Sequence, residues 1–276
     1  MTAPALEGKV AVITGGARGI GYATARTLKS LGMKVAVGDV DETRLLETDR
    51  ELDLDAVGRL DVTDPESFQA FYHMVTDRLG VPHALVNNAG VMPVGPTVDE
   101  GQEVARRMVD INVHGVITGT KLALDSMLPR RSGHIINIAS MAGEAYVPGL
   151  ATYCGTKAAV IAFTDAVRLE HRTSGVDVSL VLPTFTNTEL VAGTQGPKGF
   201  RNAEPEQIAE AIADLLAHPR PRVYVTRPMG ALLKAQRLMP AAWSEGLARR
   251  LGSDRMFLGG VDQQARSAYE ERARKS

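Results

Sequence analysis

The segment Tyr153-Cys154-Gly155-Thr156-Lys157 places a phenol and an ammonium four residues apart. On a helix those positions lie one above the other on the same face. A free tyrosine has a pKa of about 10, too high for an efficient base near neutrality, and a neighbouring cation favours the phenolate. A Tyr-x-x-x-Lys pair alone is common on surface helices, so its weight comes from other polar residues. Ser140 ends the apolar run Gly133–Ala139, Asn87-Asn88-Ala89-Gly90 closes another, and Asn112 sits between Ile111 and Val113 in a helical stretch. All fall where strands of an open α/β sheet end or just beyond, the usual ligand edge of such a sheet.

A second group of residues suits a phosphate. Thr14-Gly15-Gly16-Ala17-Arg18-Gly19-Ile20-Gly21 follows an apolar β-branched run and opens a helical pattern. Glycines allow a tight turn and close approach of a phosphate to the backbone, and the helix N-terminus offers free N–H groups. Asp39, at the end of the next apolar run, supplies the acidic residue that such a loop needs to hold adenosine ribose hydroxyls. A carboxylate there repels a 2′-phosphate, and Val40-Asp41 brings no arginine, which favours NAD over NADP. Arg18 argues the other way, because a guanidinium in the loop could reach a 2′-phosphate; otherwise it is a solvated loop charge.

Short β-branched runs alternate with helical stretches, which predicts βαβ units around a parallel sheet. The expected strands are Lys9–Thr14, Lys34–Asp39, Val57–Asp61, Ala84–Asn87, Gly133–Ile138, Val176–Leu182 and Val223–Val225. Several are apolar without alternation, as strands covered on both faces should be. Helices are expected near Ile20–Leu31, Pro65–Leu79, Gln102–Leu128, Tyr153–Thr173 and Pro205–Ala217. The Gly-rich stretch Glu189–Glu204 reads as a loop near the ligand edge. The expected architecture is a single Rossmann-type doubly wound sheet of about seven strands with helices on both faces. It spans residues 1–226, and residues 227–276 form a helical extension packed on the same domain.

The 276 residues carry a net charge of −1, and nothing global points to nucleic acid. From Arg220 onward, twelve Lys and Arg face five Asp and Glu. Such a basic tail either docks on its own acidic body or touches an anionic surface. Cys154 is the only cysteine, so no intrachain disulfide can form. No signal-like leader and no bilayer-length apolar segment is seen, and a cytoplasmic protein is expected. His114 and His134 lack metal-ligand spacing, and no metal is expected.

Taken together and in order, these motifs make the chain resemble a short-chain dehydrogenase/reductase from about Glu7 to Val225. Gly15, Gly19 and Gly21 match the family's glycine loop, Asp61-Val62 the adenine-contacting pair, and Asn88-Ala89-Gly90 the strand-end motif. Asn112, Ser140, Tyr153 and Lys157 match its catalytic tetrad. The resemblance implies that Tyr153 exchanges the proton of the alcohol or ketone while hydride moves to or from the nicotinamide. It implies that Ser140 holds the substrate oxygen, that Lys157 lowers the tyrosine pKa and binds the nicotinamide ribose, and that Asn112 holds a water. Arg18, Ile20, Thr186 and Thr188 join the cofactor contacts by position.

Two departures from the family pattern stand out. The Pro-Gly that often follows the sixth strand is Pro183-Thr184 here, which adds bulk beside the nicotinamide. About fifty residues follow Thr226, with Met229, Leu232, Leu233, Leu238, Met239, Trp243, Leu247, Met256, Phe257 and Leu258 among Lys234, Arg237, Arg249, Arg250 and Arg255. This resembles members that close an extended C-terminus over retinoids, steroids or other lipids. An apolar lid with a basic outer face, open to peripheral membrane contact, and a subunit interface both fit. The expected activity is NAD-dependent oxidation or reduction of an apolar alcohol or ketone. The alternatives are an NADPH-dependent 3-oxoacyl thioester reductase and a non-catalytic nucleotide-binding regulator. A homo-oligomer, dimer or tetramer, is expected through the helices near Gln102–Leu128 and Tyr153–Thr173.

Overall fold

The computed structural model describes residues 6–194, 201–226, 230, 243, 246, 256–259 and 261–275. Seven strands form one parallel sheet: β1 Val10–Thr14, β2 Lys34–Asp39, β3 Ala56–Arg59, β4 Ala84–Asn87, β5 Gly133–Ile138, β6 Val176–Pro183 and β7 Arg222–Val225. Their order is β3-β2-β1-β4-β5-β6-β7, and every pairing is parallel. The direction of winding reverses between β1 and β4. A crevice opens at such a reversal beyond the strands' carboxyl ends, between the glycine loop after β1 and the segment after β4.

The helices are α1 Gly19–Ser30, α2 Glu42–Leu52, α3 Pro65–Leu79, α4 Gln102–Val109, α5 Gly115–Met127, α6 Ala151–Glu170, α7 Pro205–Ala217 and α8 Gln263–Lys275. Alternate strand residues point to opposite faces. Val10 and Val12 therefore join Phe68, Phe71 and Val75 of α3 and Ala123 and Met127 of α5 in one core. Ala11 and Ile13 join Ala25 and Leu28 of α1 and Ile208 and Ile212 of α7 in the other. Burying each such Leu, Ile or Phe side chain contributes on the order of 1.5–3 kcal/mol. This double cover explains why the strands read as unbroken apolar runs.

Four expectations need correction. Sequence reading left residues 42–52 unassigned, but Asp41 caps α2 there by accepting from the Arg44 N–H at 3.0 Å. Only Leu45 and Thr48 of α2 are buried, so its periodic signal is weak. The helix expected over Gln102–Leu128 is broken by a π-helical turn, Asp110–His114, which carries Asn112. The third strand ends at Arg59 rather than Asp61, because the Asp61 carboxylate accepts from the Thr63 N–H and hydroxyl at 3.0 and 2.7 Å and starts a turn. The loop after β6 opens with a 3-10 turn, Glu189–Val191. Of the tail's apolar and basic residues named above, all but Trp243, Met256, Phe257 and Leu258 lie outside the described residues.

The C-terminal helix lies against the main body. Arg266, fully buried, donates to the carbonyls of Met92, of Leu190 (3.0 Å) and of Ala192 (3.2 Å) and pairs with Glu270 at 2.8 Å. The Tyr269 hydroxyl accepts from the Met92 N–H at 2.7 Å. Both backbone groups of Met92, in the segment after β4, are thus satisfied from the C-terminus. Phe257 is buried and stacks on Phe185, centroids 5.5 Å apart.

Candidate active site

The glycine loop is held by the strand on the other side of the crevice. Thr14 Oγ1 accepts from the N–H groups of Asn88 and Ala89, both at 3.0 Å. Asn88 Nδ2 donates to the carbonyls of Thr14 and Gly15, both at 2.9 Å. Gly15 sits at φ +63°, and a Cβ on it would lie 2.8 Å from Ala89 Cα. A Cβ on Gly21 would strike the Gly15 carbonyl and lie 2.7 Å from Asn88 Nδ2. Side chains at these positions would fill the cradle, so the loop fits a phosphate that must approach backbone.

Asp39 closes the far end. Its carboxylate accepts from the N–H groups of Ala17 (3.0 Å) and Asp41 (3.1 Å). An ionised carboxylate offers about four acceptor positions, so capacity remains for ribose hydroxyls. The Arg18 guanidinium, about a third exposed, pairs with Asp41 at 2.8 Å.

Proton chemistry is assembled on three elements. Tyr153 and Lys157 rise from the first turns of α6, Ser140 follows β5, and Asn112 lies in the π-turn. Tyr153 and Ser140 share a side-chain hydrogen bond, and Ser140 Oγ also accepts from the Ala142 N–H at 3.1 Å. Lys157 Nζ donates to the Ile138 carbonyl at 3.0 Å and lies 5.7 Å from the centre of the Tyr153 ring. Asn112 spends its amide on the Val91 N–H and carbonyl, both at 2.9 Å, and on Thr156 Oγ1 at 3.1 Å. The point where a Cβ would stand on Gly90 is 3.2 Å from Asn112 Oδ1 and 3.5 Å from Lys157 Nζ, so only glycine leaves these groups undisturbed.

Burial dominates the acidities. It pulls the Lys157 ammonium down to about 8 and pushes the Tyr153 phenol up, against the smaller opposing effect of the Ser140 hydrogen bond. Lys157 is not among the groups that set the acidity of the phenol, which burial dominates. Burial penalises the phenolate more than Ser140 favours it. Cys154 beside it is half-buried, and burial raises its thiol. His114 faces Asp110 at 2.9 Å, and buried His134 bonds Ser179 at 2.8 Å.

These groups surround one cavity of about 1250 Å³. Gly15, Arg18, Gly19, Ile20, Asp39, Asp61, Val62, Asn88, Ala89, Gly90, Ser140, Tyr153, Lys157, Thr186 and Thr188 all line it. Gly21 and Asn112 stand behind the wall. Tyr153 and Ser140 line it together with the apolar Met92, Met141, Val147, Leu150, Phe185 and Met256.

A family profile described as short chain dehydrogenase matches residues 9–198. The chain belongs to the short-chain dehydrogenases. Among its relatives, an uncharacterized oxidoreductase of Staphylococcus saprophyticus is 34% identical over 226 residues, 78% of this chain and 92% of that one. The 3-oxoacyl-[acyl-carrier-protein] reductase FabG of Vibrio cholerae is 35% identical over 237 residues, 80% of this chain and 94% of that one. A crystal structure of a short chain dehydrogenase/reductase from Burkholderia phymatum in complex with NAD superposes with a TM-score of 0.78 at 27% identity, covering 84% of this chain and 94% of that one. This short-chain dehydrogenase is accordingly an oxidoreductase that uses a nicotinamide cofactor.

Sequence reasoning missed several residues of the site. Thr14 and Thr156 orient Ala89 and Asn112; both lie inside motifs already singled out, but nothing local marks their hydroxyls as braces for distant segments. Tyr269, Arg272 and Ala273 line the cavity from α8, and no local pattern ties them to residues far back in the chain. The available signal was the length of the tail and its mixture of apolar and basic residues, which resembles an extension closing over the substrate.

Proposed function

We propose that this short-chain dehydrogenase oxidises or reduces an apolar alcohol or ketone with NAD as the preferred cofactor. The carrying observation is the makeup of the cavity around Tyr153 and Ser140. Met92, Met141, Val147, Leu150, Phe185 and Met256 line the same cavity as those two hydroxyls, and Phe257 stacks on Phe185. Such a wall desolvates apolar substrate, while the two hydroxyls fix one oxygen atom.

When bound, the nicotinamide supplies or accepts the hydride. In reduction, the Tyr153 hydroxyl gives its proton to the substrate oxygen, and Ser140 Oγ stabilises charge growing on that atom. The raised phenol suits this direction, because Tyr153 rests protonated at neutral pH. In oxidation the order reverses: Tyr153 must first be the phenolate, whose charge the Lys157 ammonium offsets, and its Oη then receives the alcohol proton. Asn112 keeps the Gly90-Val91 backbone beside Lys157. The cofactor preference rests on Asp39, whose carboxylate would repel a 2′-phosphate.

A second reading, reduction of 3-oxoacyl thioesters with NADPH, draws on the similarity to the Vibrio cholerae reductase. Both are tested by following reduced nicotinamide with NAD or NADP and a panel of apolar secondary and allylic alcohols, beside an acyl thioester, with Tyr153→Phe as control. NAD-linked turnover of the alcohols that vanishes in the variant supports the first reading. NADPH-linked turnover confined to the thioester replaces it with the second.

A further inference from the structure

Four charges from four separate segments meet beside the glycine loop. Arg18 is the N-cap of α1, Asp41 the N-cap of α2, Glu189 starts the turn after β6, and Arg272 lies in the last turns of α8. Arg18 pairs with Asp41 at 2.8 Å and stands 3.9 Å from Glu189, which in turn pairs with Arg272. The Asp41 carboxyl is held below its ordinary range, first by the Arg44 N–H, then by Arg18, with Arg272 close enough to contribute. All four side chains line the cavity that holds the glycine loop.

Their location is what gives the cluster meaning. Thr188, next to Glu189, packs over Gly19, where a Cβ would lie 3.2 Å from Thr188 Cγ2. Gly19 is the first residue of α1, and no side chain caps that helix end. A helix N-terminus favours an anion. The Glu189 carboxylate lies between two guanidinium groups, 3.9 Å from Arg18 and paired with Arg272.

Anchoring of the tail does not explain the Arg272–Glu189 pair. Their side chains are 40% and 54% exposed, and exposed pairs contribute little because solvent screens them. Helix α8 is already fixed through buried Arg266 and Tyr269. Arg272 of α8 lines the same cavity as the glycine loop.

We propose that the Arg272 guanidinium, together with Arg18, is a cation site for the diphosphate of the nicotinamide dinucleotide, and that Glu189 occupies this site until the cofactor enters. The C-terminal extension then contributes to cofactor binding as well as to the apolar wall. The proposal rests on the oxidoreductase reading, and it gives Glu189 and Arg272 opposite signs. Removing the cation weakens the dinucleotide; removing the competing carboxylate tightens it.

The test is the dissociation constant of NADH, read by its fluorescence at several salt concentrations, for the full chain and for Arg272→Gln, Arg272→Lys and Glu189→Gln. Adenosine, which lacks the diphosphate, is titrated as a control. Arg272→Gln is expected to raise the NADH constant roughly three- to tenfold and to flatten its salt dependence. Arg272→Lys recovers part of that loss, and Glu189→Gln lowers the constant about threefold. Adenosine binding is unchanged throughout. If both Gln variants weaken NADH alike, or if neither changes it, the ion pair is a structural tie and the proposal fails. Wild-type protein that binds no dinucleotide at all overturns the oxidoreductase reading itself, an outcome distinct from failure in the variants alone.

Discussion

Lys157 offers a direct measure of what this site costs the fold. Its side chain is buried, at 5% exposure, and its Nζ donates to the Ile138 carbonyl at 3.0 Å. No carboxylate among the described residues pairs with it. Burial lowers its pKa from 10.5 to about 8. At pH 7 the folded chain therefore carries a buried ammonium that the unfolded chain would hydrate. The difference of about 2.5 units corresponds to roughly 3 kcal/mol at about 1.4 kcal/mol per unit. Lys157→Met removes that penalty, keeps a chain of similar length, and leaves the Ile138 carbonyl without its donor, a loss of about 1 kcal/mol. The variant should be more stable than the wild type by about 2 kcal/mol at pH 7. Between about pH 8 and 10.5 the unfolded state binds more protons than the native state, so wild-type stability rises with pH. The advantage of the variant should shrink to near zero by about pH 9.5. Urea unfolding of the cofactor-free proteins at pH 7 and 9.5 measures both. A variant less stable than wild type at pH 7, or an advantage that does not change with pH, would refute the reasoning.

Three further substitutions probe the surroundings. Gly119→Ala puts a Cβ 2.6 Å from Phe68 Cζ and against Asn87 Oδ1, and urea unfolding should show a loss of about 1–3 kcal/mol from overpacking. Gly21→Ala crowds the Gly15 carbonyl and Asn88; NADH titration should show at least roughly tenfold weaker binding from the reshaped cradle. Phe257→Ala removes the stacked partner of Phe185 and should cost about 3–5 kcal/mol of packing. It should raise KM for bulky apolar alcohols more than for short ones, a split that steady-state kinetics can read.

Much of the fold is written locally. The strands are apolar on successive residues because both faces are covered, and β2, β4 and β5 lie where that pattern ends. The glycine loop, Asn88-Ala89-Gly90 and Tyr153 with Lys157 each occupy a few adjacent positions, so their chemistry is visible before any folding is known. What was not legible depends on distance along the chain or on competition between forces. Helix α2 has little apolar periodicity and stands on its Asp41 cap. The π-turn that presents Asn112 has no propensity signature. Tyr269 reaches Met92 across 177 residues, and Arg266 reaches it across 174. The acidity of Tyr153 is set chiefly by its burial, which spacing to Lys157 does not reveal. The pairing of Arg18 with Asp41, a partner from another loop, was likewise not legible from the sequence around it.

The central claim is that Tyr153 moves a proton while hydride passes between nicotinamide and substrate carbon. The most direct measurement is a single turnover with NADH deuterated at the transferable C4 position and an apolar ketone accepted by the enzyme, with product analysed by mass spectrometry. Wild-type protein should deliver one deuterium to the carbinol carbon. Tyr153→Phe should bind NADH with similar affinity and form no labelled alcohol. Labelled alcohol formed by the variant at the wild-type rate, or no deuterium in the wild-type product, would contradict this account.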